Sequence, residues 1–214
     1  ISACLVGSEM CIRDRLQAEW PQVLGFITGA VCVWLAGRRN VWDYPIGIAN
    51  NVVLFVVFIG AGLYATSALQ VVYLLMGLHG WWRWTRGAEQ SRTYVVNTPR
   101  RAWPWLALAA VAGTAVLVWV LTTFTDSQVA IADAATTAAS LVAQYMLNRK
   151  WIENWFVWIC VDIAFVGLSI AAGLWVIAAL YVLFIALCVI GYRSWRQAAV
   201  ADRETPAVAA SARA

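Results

Sequence analysis

Apolar residues run along this chain in seven blocks separated by short polar joints, at 20–37, 43–60, 64–82, 103–122, 129–147, 155–171 and 174–192. Each block is near the length of about 20 residues that carries a helix across the hydrocarbon of a bilayer. The pattern therefore predicts an all-α polytopic membrane protein with seven transmembrane helices in one domain, 20–197. The leading segment 1–19 holds Cys4 and Cys11, has no Met at position 1 and is too short and polar to span, so it reads as a truncated or non-native start. The end, 198–214, reads as a disordered cytoplasmic tail.

Composition agrees with the pattern. Hydrophobic residues make up 63% of the chain and charged ones 12%, with a mean hydropathy of +0.72. A water-soluble domain is nearly half apolar and about a quarter charged.

The charges orient the helices. Arg38 and Arg39 follow the first block; Arg83, Arg86, Arg92, Arg100 and Arg101 follow the third. Arg149 and Lys150 follow the fifth, and Arg193 and Arg196 the seventh. With seven helices all these basic ends fall on one side, which the positive-inside rule makes cytoplasmic, C-terminus included. The formal charge of +4 lies in these short joints and not on a surface stripe, so nucleic acid is not an expected partner. Membrane lipid is.

Sliding the chain over itself by 111 residues brings the first three blocks onto the last three. "GAGLYATSAL" meets "AAGLWVIAAL", Gly80 and Trp84 meet Gly191 and Trp195, and Trp34 and Arg38 meet Tyr145 and Arg149. Repeat one (20–87) and repeat two (129–197) are joined by a linker helix, 103–122. One spanning linker makes the repeats parallel, a three-plus-one-plus-three arrangement of the kind transporters build around a central site.

Candidate chemistry concentrates on the sixth block. Positions 151, 155, 158, 162 and 169 share one helix face and read Trp, Trp, Trp, Asp, Ser. A carboxylate inside the membrane costs about 2.5–3.5 kcal/mol on insertion scales, so Asp162 should face a cavity or a partner. Trp155 and Trp158, with Trp151 nearer the interface, offer flat faces and one N–H each. Asn50 and Asn51 on the second block, Gln144 on the fifth, and Gln70 and Tyr73 on the third add polar groups inside helices. Asn51 is the 111-residue counterpart of Asp162, and Tyr181 that of Gln70. These ten residues are the expected binding site for a ligand that is part ring and part polyol. Trp155 and Trp158 would stack, while Asp162, Asn51 and Gln144 would hold the polar part. Trp81, Trp82, Trp84, Trp103 and Trp105 are expected as interface anchors. His79 and the helix cysteines Cys32, Cys160 and Cys188 are expected in helix packing.

Other classes lose support. No lysine lies in a helix to form a retinal Schiff base, no GxxxxGK loop is present for ATP, and no ligand cluster has metal spacing. No nucleophile–base pair appears either, so neither a catalytic residue nor a cofactor is expected.

"VWDYPIGIANNVVLF", "LYATSALQVVYLLMGLHGWWRW", "DAATTAASLVAQYMLNRKWIENW" and "ALYVLFIALCVIGYRSW" together resemble the PnuC family of vitamin-precursor transporters over residues 20–197. The resemblance implies a SWEET-like fold and facilitated diffusion of nicotinamide riboside, trapped by a cytoplasmic kinase. It also implies a bacterial inner-membrane location, and some members are trimers. The family's sixth-helix signature is Trp-x3-Trp-x6-Asn-x6-Tyr; Trp151 and Trp155 match it, while Asp162 and Ser169 replace the Asn and the Tyr. Riboflavin or thiamin is the alternative cargo on the same fold. A membrane interaction subunit without a small-molecule ligand is the alternative outside transport.

Overall fold

The computed structural model describes residues 25 and 27–211, apart from 61–63, 87–94, 125–129 and 172. Its helices are α1 (Ile27–Gly37), α2 (Asp43–Gly60), α3 (Tyr64–Arg86), α4 (Trp103–Phe124), α5 (Ala130–Asn148), α6 (Asn154–Ala171) and α7 (Trp175–Ser211). All seven expected helices form. α2, the stretch Arg100–Thr123 containing α4, α6, and Trp175–Ala201 of α7 are long and apolar enough to cross a membrane. α3 and α5 fall below that hydropathy because they carry Gln70, His79, Ser140 and Gln144. The expected leading segment lies outside the described residues.

The expected end of the last helix differs. α7 runs on to Ser211, through the stretch read as a disordered tail, because its sequence after 197 is alanine-rich and alanine is the best helix former.

Two turns show how local chemistry sets the packing. At the end of α1, Arg39 adopts φ +56°, and Asn40 N–H and Arg39 N–H donate back to the Leu35 and Ala36 carbonyls. At the end of α5, Lys150 also adopts φ +56°, with Trp151 N–H and Lys150 N–H donating to Met146 and Leu147. This paired back-bonding satisfies the last carbonyls of a helix and reverses the chain. Arg39 and Lys150 are the described non-glycine residues with positive φ, and they stand 111 positions apart.

α2 packs on α3 and α6 on α7 as helical hairpins, while α5 touches α3, α4 and α6. The segment before α4 docks on the α5–α6 turn. Val96 exchanges backbone hydrogen bonds with Lys150 and Ile152, and the Glu153 carboxylate accepts from Thr98 N–H and Oγ–H, both at 2.7 Å.

The core sits at the basic ends of the helices. Tyr44, Trp84, Leu147, Ile152, Trp155 and Trp195 form one buried cluster there. Trp155 lies edge-on to Trp195 at 5.5 Å, Tyr44 edge-on to Trp84 at 5.3 Å, and Trp84 reaches Trp195 at 6.2 Å. Trp84 is therefore not an interface anchor: its side of α3 faces this cluster, and it is buried. Trp81, Trp82, Trp103 and Trp105 are exposed on the helix surfaces. His79 is exposed as well, 6.2 Å from the Trp82 ring, and takes no part in helix packing.

A candidate ligand cavity between the helices

A cavity of about 380 Å³ lies between the helices, lined by α1, α2, α3, α5, α6 and α7. That is within the range of about 300–1,000 Å³ typical of small-molecule sites. α4 contributes no lining residue and packs outside, against α5.

Nine of the ten expected site residues meet at this cavity. α2, α3 and α5 present Asn50, Asn51, Gln70, Tyr73, Ser140 and Gln144. α6 and α7 present Trp158, Phe165, Tyr181 and Phe184, with Trp155 at the floor and Asp162 set among them. Phe165 and Tyr181 stack at 4.8 Å with their planes 9° apart. The amides come from α2, α3 and α5, and rings from α2 and α3 (Tyr44, Tyr73) as well as α6 and α7. Trp151 is the exception: it does not line the cavity and sits in the turn before α6, edge-on to Tyr145 at 5.9 Å.

Trp155 plays a different part from the stacking platform expected of it. It is 2% exposed and lies against Gly191, where an added Cβ would run into the indole ring; Gly37 packs on Gly191 beside it. Its faces are taken by protein. Its indole N–H, however, is buried without a hydrogen-bond partner among the described residues. A buried donor left unmade costs about 1–3 kcal/mol.

Across the floor, Tyr44 occupies the equivalent place. Its hydroxyl donates to Asn148 Oδ1 at 3.2 Å, Gln144 Nε2 donates to the same oxygen at 3.3 Å, and Asn148 Nδ2 donates to the Met76 carbonyl at 2.9 Å. Gly80 lies against both Tyr44 and Asn148. Trp195 Nε1 donates to the Ala36 carbonyl at 2.9 Å and ties α7 to α1. The floor is a closed layer of rings and amides.

Within the walls, Asn50 Oδ1 accepts from Thr28 at 3.0 Å, which leaves its amide nitrogen for other partners. Asn51 lines the cavity with no partner among the described residues. Asp162 is buried at 6% exposure and accepts from the Cys188 thiol at 3.7 Å. Cys188 is thus part of the polar site and not a plain filler, while Cys160 is exposed. Asp43, in the first turn of α2, also lines the cavity near the floor, and the Cys32 thiol donates to its backbone carbonyl at 3.6 Å. Sequence reasoning missed Asp43, Phe165 and Cys188. Asp43 and Tyr44 were legible as the 111-residue counterparts of Asn154 and Trp155.

The basic helix ends converge below the floor. Burial lowers the pKa of Lys150 below its ordinary value, and the charges of Arg39 and Arg83 lower it further. Its ammonium lies 4.8 Å from the Trp84 ring centre. Among the described residues, no Lys, Arg or His lines the cavity itself.

Comparison with known proteins agrees with this architecture. A riboflavin/roseoflavin transporter, RibM of Streptomyces davaonensis, is 31% identical over 89% of this chain and 91% of its own length. The nicotinamide riboside transporter PnuC of Escherichia coli is 24% identical over 83% of this chain and 85% of its own length. The crystal structure of the vitamin B3 transporter PnuC superposes with a TM-score of 0.66 over 92% of this chain and 89% of that one, at 22% identity. The model of the nicotinamide mononucleotide transporter family matches residues 19–197, and the chain belongs to that family of membrane transporters.

Proposed function

We propose that this protein is a permease for a flat-ring vitamin bearing a hydroxylated chain, riboflavin first and nicotinamide riboside second. The observation that carries the reading is the cavity, lined both by aromatic rings and by side-chain amides. A ring lies against Trp158, Phe165 and Tyr181, while hydroxyls face the amides of Asn50, Asn51, Gln70 and Gln144. Trp155 contributes its N–H and the floor, not a stacking face.

The residues that line the cavity also speak to charge. Among the described residues two carboxylates and no basic side chain line it, so a phosphate ester entering would find no counter-ion there. The unphosphorylated vitamin suits the site and its nucleotide does not.

Riboflavin stands first because the relative at 31% identity carries that name and shares nine-tenths of both lengths. This reverses the order expected from the sequence. Nicotinamide riboside stands second on the 24% relative. The permease sits in the inner membrane with its basic helix ends and C-terminus in the cytoplasm, and accumulation draws on a cytoplasmic kinase that phosphorylates the cargo. The test is uptake by proteoliposomes without an energy source. Equilibration of labelled riboflavin down its gradient, competed by unlabelled riboflavin, supports the reading. Retention outside of both riboflavin and nicotinamide riboside overturns it.

A further inference from the structure

The outer side of α7 carries a second groove, away from the cavity between the helices. Val189, Tyr192, Arg193, Arg196, Gln197 and Val200 line it, at positions i, i+3, i+4, i+7, i+8 and i+11. They therefore share one side of the helix. Cys188, Trp195 and Ala199 belong to the core cluster, whereas Arg193, Arg196, Gln197 and Val200 are exposed. The Tyr192 ring packs on Phe156 of α6 at 4.7 Å, which fixes one edge of the groove. Neither arginine makes an ion pair or a hydrogen bond among the described residues, and no carboxylate among them lines the groove.

The depth of the two arginines matters as much as their charge. Both lie near the end of the span Trp175–Ala201, where long basic side chains reach from apolar surface to headgroup oxygens. Away from that end, the same side of the helix continues through Val189, Ala186 and Val182, the last two exposed. At 1.5 Å per residue Val182 stands about 16 Å from Arg193, close to one leaflet of a hydrocarbon core about 30 Å thick.

We infer that this groove is a binding site for an anionic phospholipid, with its phosphate on Arg193 and Arg196 and an acyl chain along Val189, Ala186 and Val182. Guanidinium forks match phosphate oxygens in pairs, and the Gln197 amide offers a donor and an acceptor to headgroup hydroxyls. A zwitterionic headgroup brings a cation to a groove that already holds two, so a lipid of net negative charge is preferred. Free phosphate would meet the arginines and leave the apolar stripe unused. The inference does not depend on which cargo the protein carries.

The experiment follows thermal unfolding of the purified protein in a neutral detergent as one of three compounds is added. They are dioleoyl phosphatidylglycerol, phosphatidylcholine with the same chains, and inorganic phosphate. Phosphatidylglycerol should raise the unfolding midpoint to a plateau, and the other two should not at equal concentration. Arg193→Gln/Arg196→Gln should raise the lipid concentration for half that shift at least about tenfold, since charge-assisted hydrogen bonds are the strong ones. Arg100→Gln/Arg101→Gln removes two exposed arginines outside the groove and should leave the titration unchanged. Equal losses in the two double variants would mean attraction by charge without a site, and the inference falls. It falls equally if phosphatidylcholine serves as well, if phosphate alone reproduces the shift, or if phosphatidylglycerol does nothing. Arg193 and Arg196 have no partners to lose among the described residues, so without lipid their variant should unfold at the wild-type midpoint. Should it not, Arg196→Gln alone carries the same test, with a loss of at least about threefold.

Discussion

Gly191 sets its bare Cα against the indole of Trp155, and no side chain fits between them. The same relationship recurs 111 residues earlier, where Gly80 lies against Tyr44. These two contacts close the floor of the cavity and bring α7 onto α6 and α3 onto α2. A methyl group at either glycine forces a ring to move. Gly191→Ala and Gly80→Ala should each destabilise the protein by about 1–3 kcal/mol, the usual cost of overpacking. Thermal unfolding in detergent should show lower midpoints for both, with Gly167→Ala unchanged, since nothing lies within 4 Å of a Cβ added at Gly167.

Trp155 separates folding from binding. Truncation to alanine empties a core position and should cost about 3–5 kcal/mol, so lost binding in that variant would be uninformative. Trp155→Phe keeps a six-membered ring in the core and removes the unpartnered N–H together with the five-membered ring that carries it. It should fold and bind riboflavin about three- to tenfold more weakly, the worth of one net hydrogen bond. Unchanged affinity, measured by calorimetry, would show that the donor does not meet the ligand.

Much of this arrangement was readable from spacing alone. The seven apolar blocks, the Trp158–Asp162 stripe and the Asn51–Asp162 correspondence all follow from helical period and the 111-residue offset. What spacing could not supply is what another helix brings. Trp155 became a floor because Gly191, with Gly37 packed on it, leaves room for the indole to come close. Trp84 turned inward because Tyr44 and Trp195 wait there. Cys188 looked like a filler until α7 placed it beside Asp162, 26 positions away. Each of these is a meeting between helices, and periodicity describes one helix at a time.

The strap before α4 should report on the α5–α6 turn. Glu153 accepts from both Thr98 donors, and the paired bonds hold the segment onto the turn. Glu153→Gln keeps the shape and weakens two charge-assisted bonds, a loss of about 1–2 kcal/mol. Hydrogen exchange at the amides of 96–98 should rise in that variant while exchange in α6 stays unchanged.

Lys150 gives a pH dependence with a definite sign. Its pKa is lowered in the folded protein, through burial first and then through Arg39 and Arg83. The unfolded chain therefore binds more protons between the lowered value and the ordinary 10.5, and stability rises with pH across that window. Below the window the full cost of holding the ammonium is present; above it that cost is gone. Lys150→Met should remove this component, so its stability relative to wild type should be greatest near neutral pH and shrink as pH approaches 10.5. Parallel unfolding series for the two proteins from pH 7 upward check this.

On the permease proposal, ligand binds in the cavity between the helices. Gly47 lines that cavity, and a Cβ added there meets only Cys32 Sγ, at an ordinary 3.8 Å. Gly47→Leu thus fills the space from a wall that tolerates a side chain. The decisive measurement is calorimetric titration of wild type and Gly47→Leu with riboflavin and nicotinamide riboside, beside their unfolding curves. Micromolar or tighter binding of one compound by wild type is expected, abolished in a Gly47→Leu protein that unfolds at the same temperature. Equal binding by both proteins would contradict it.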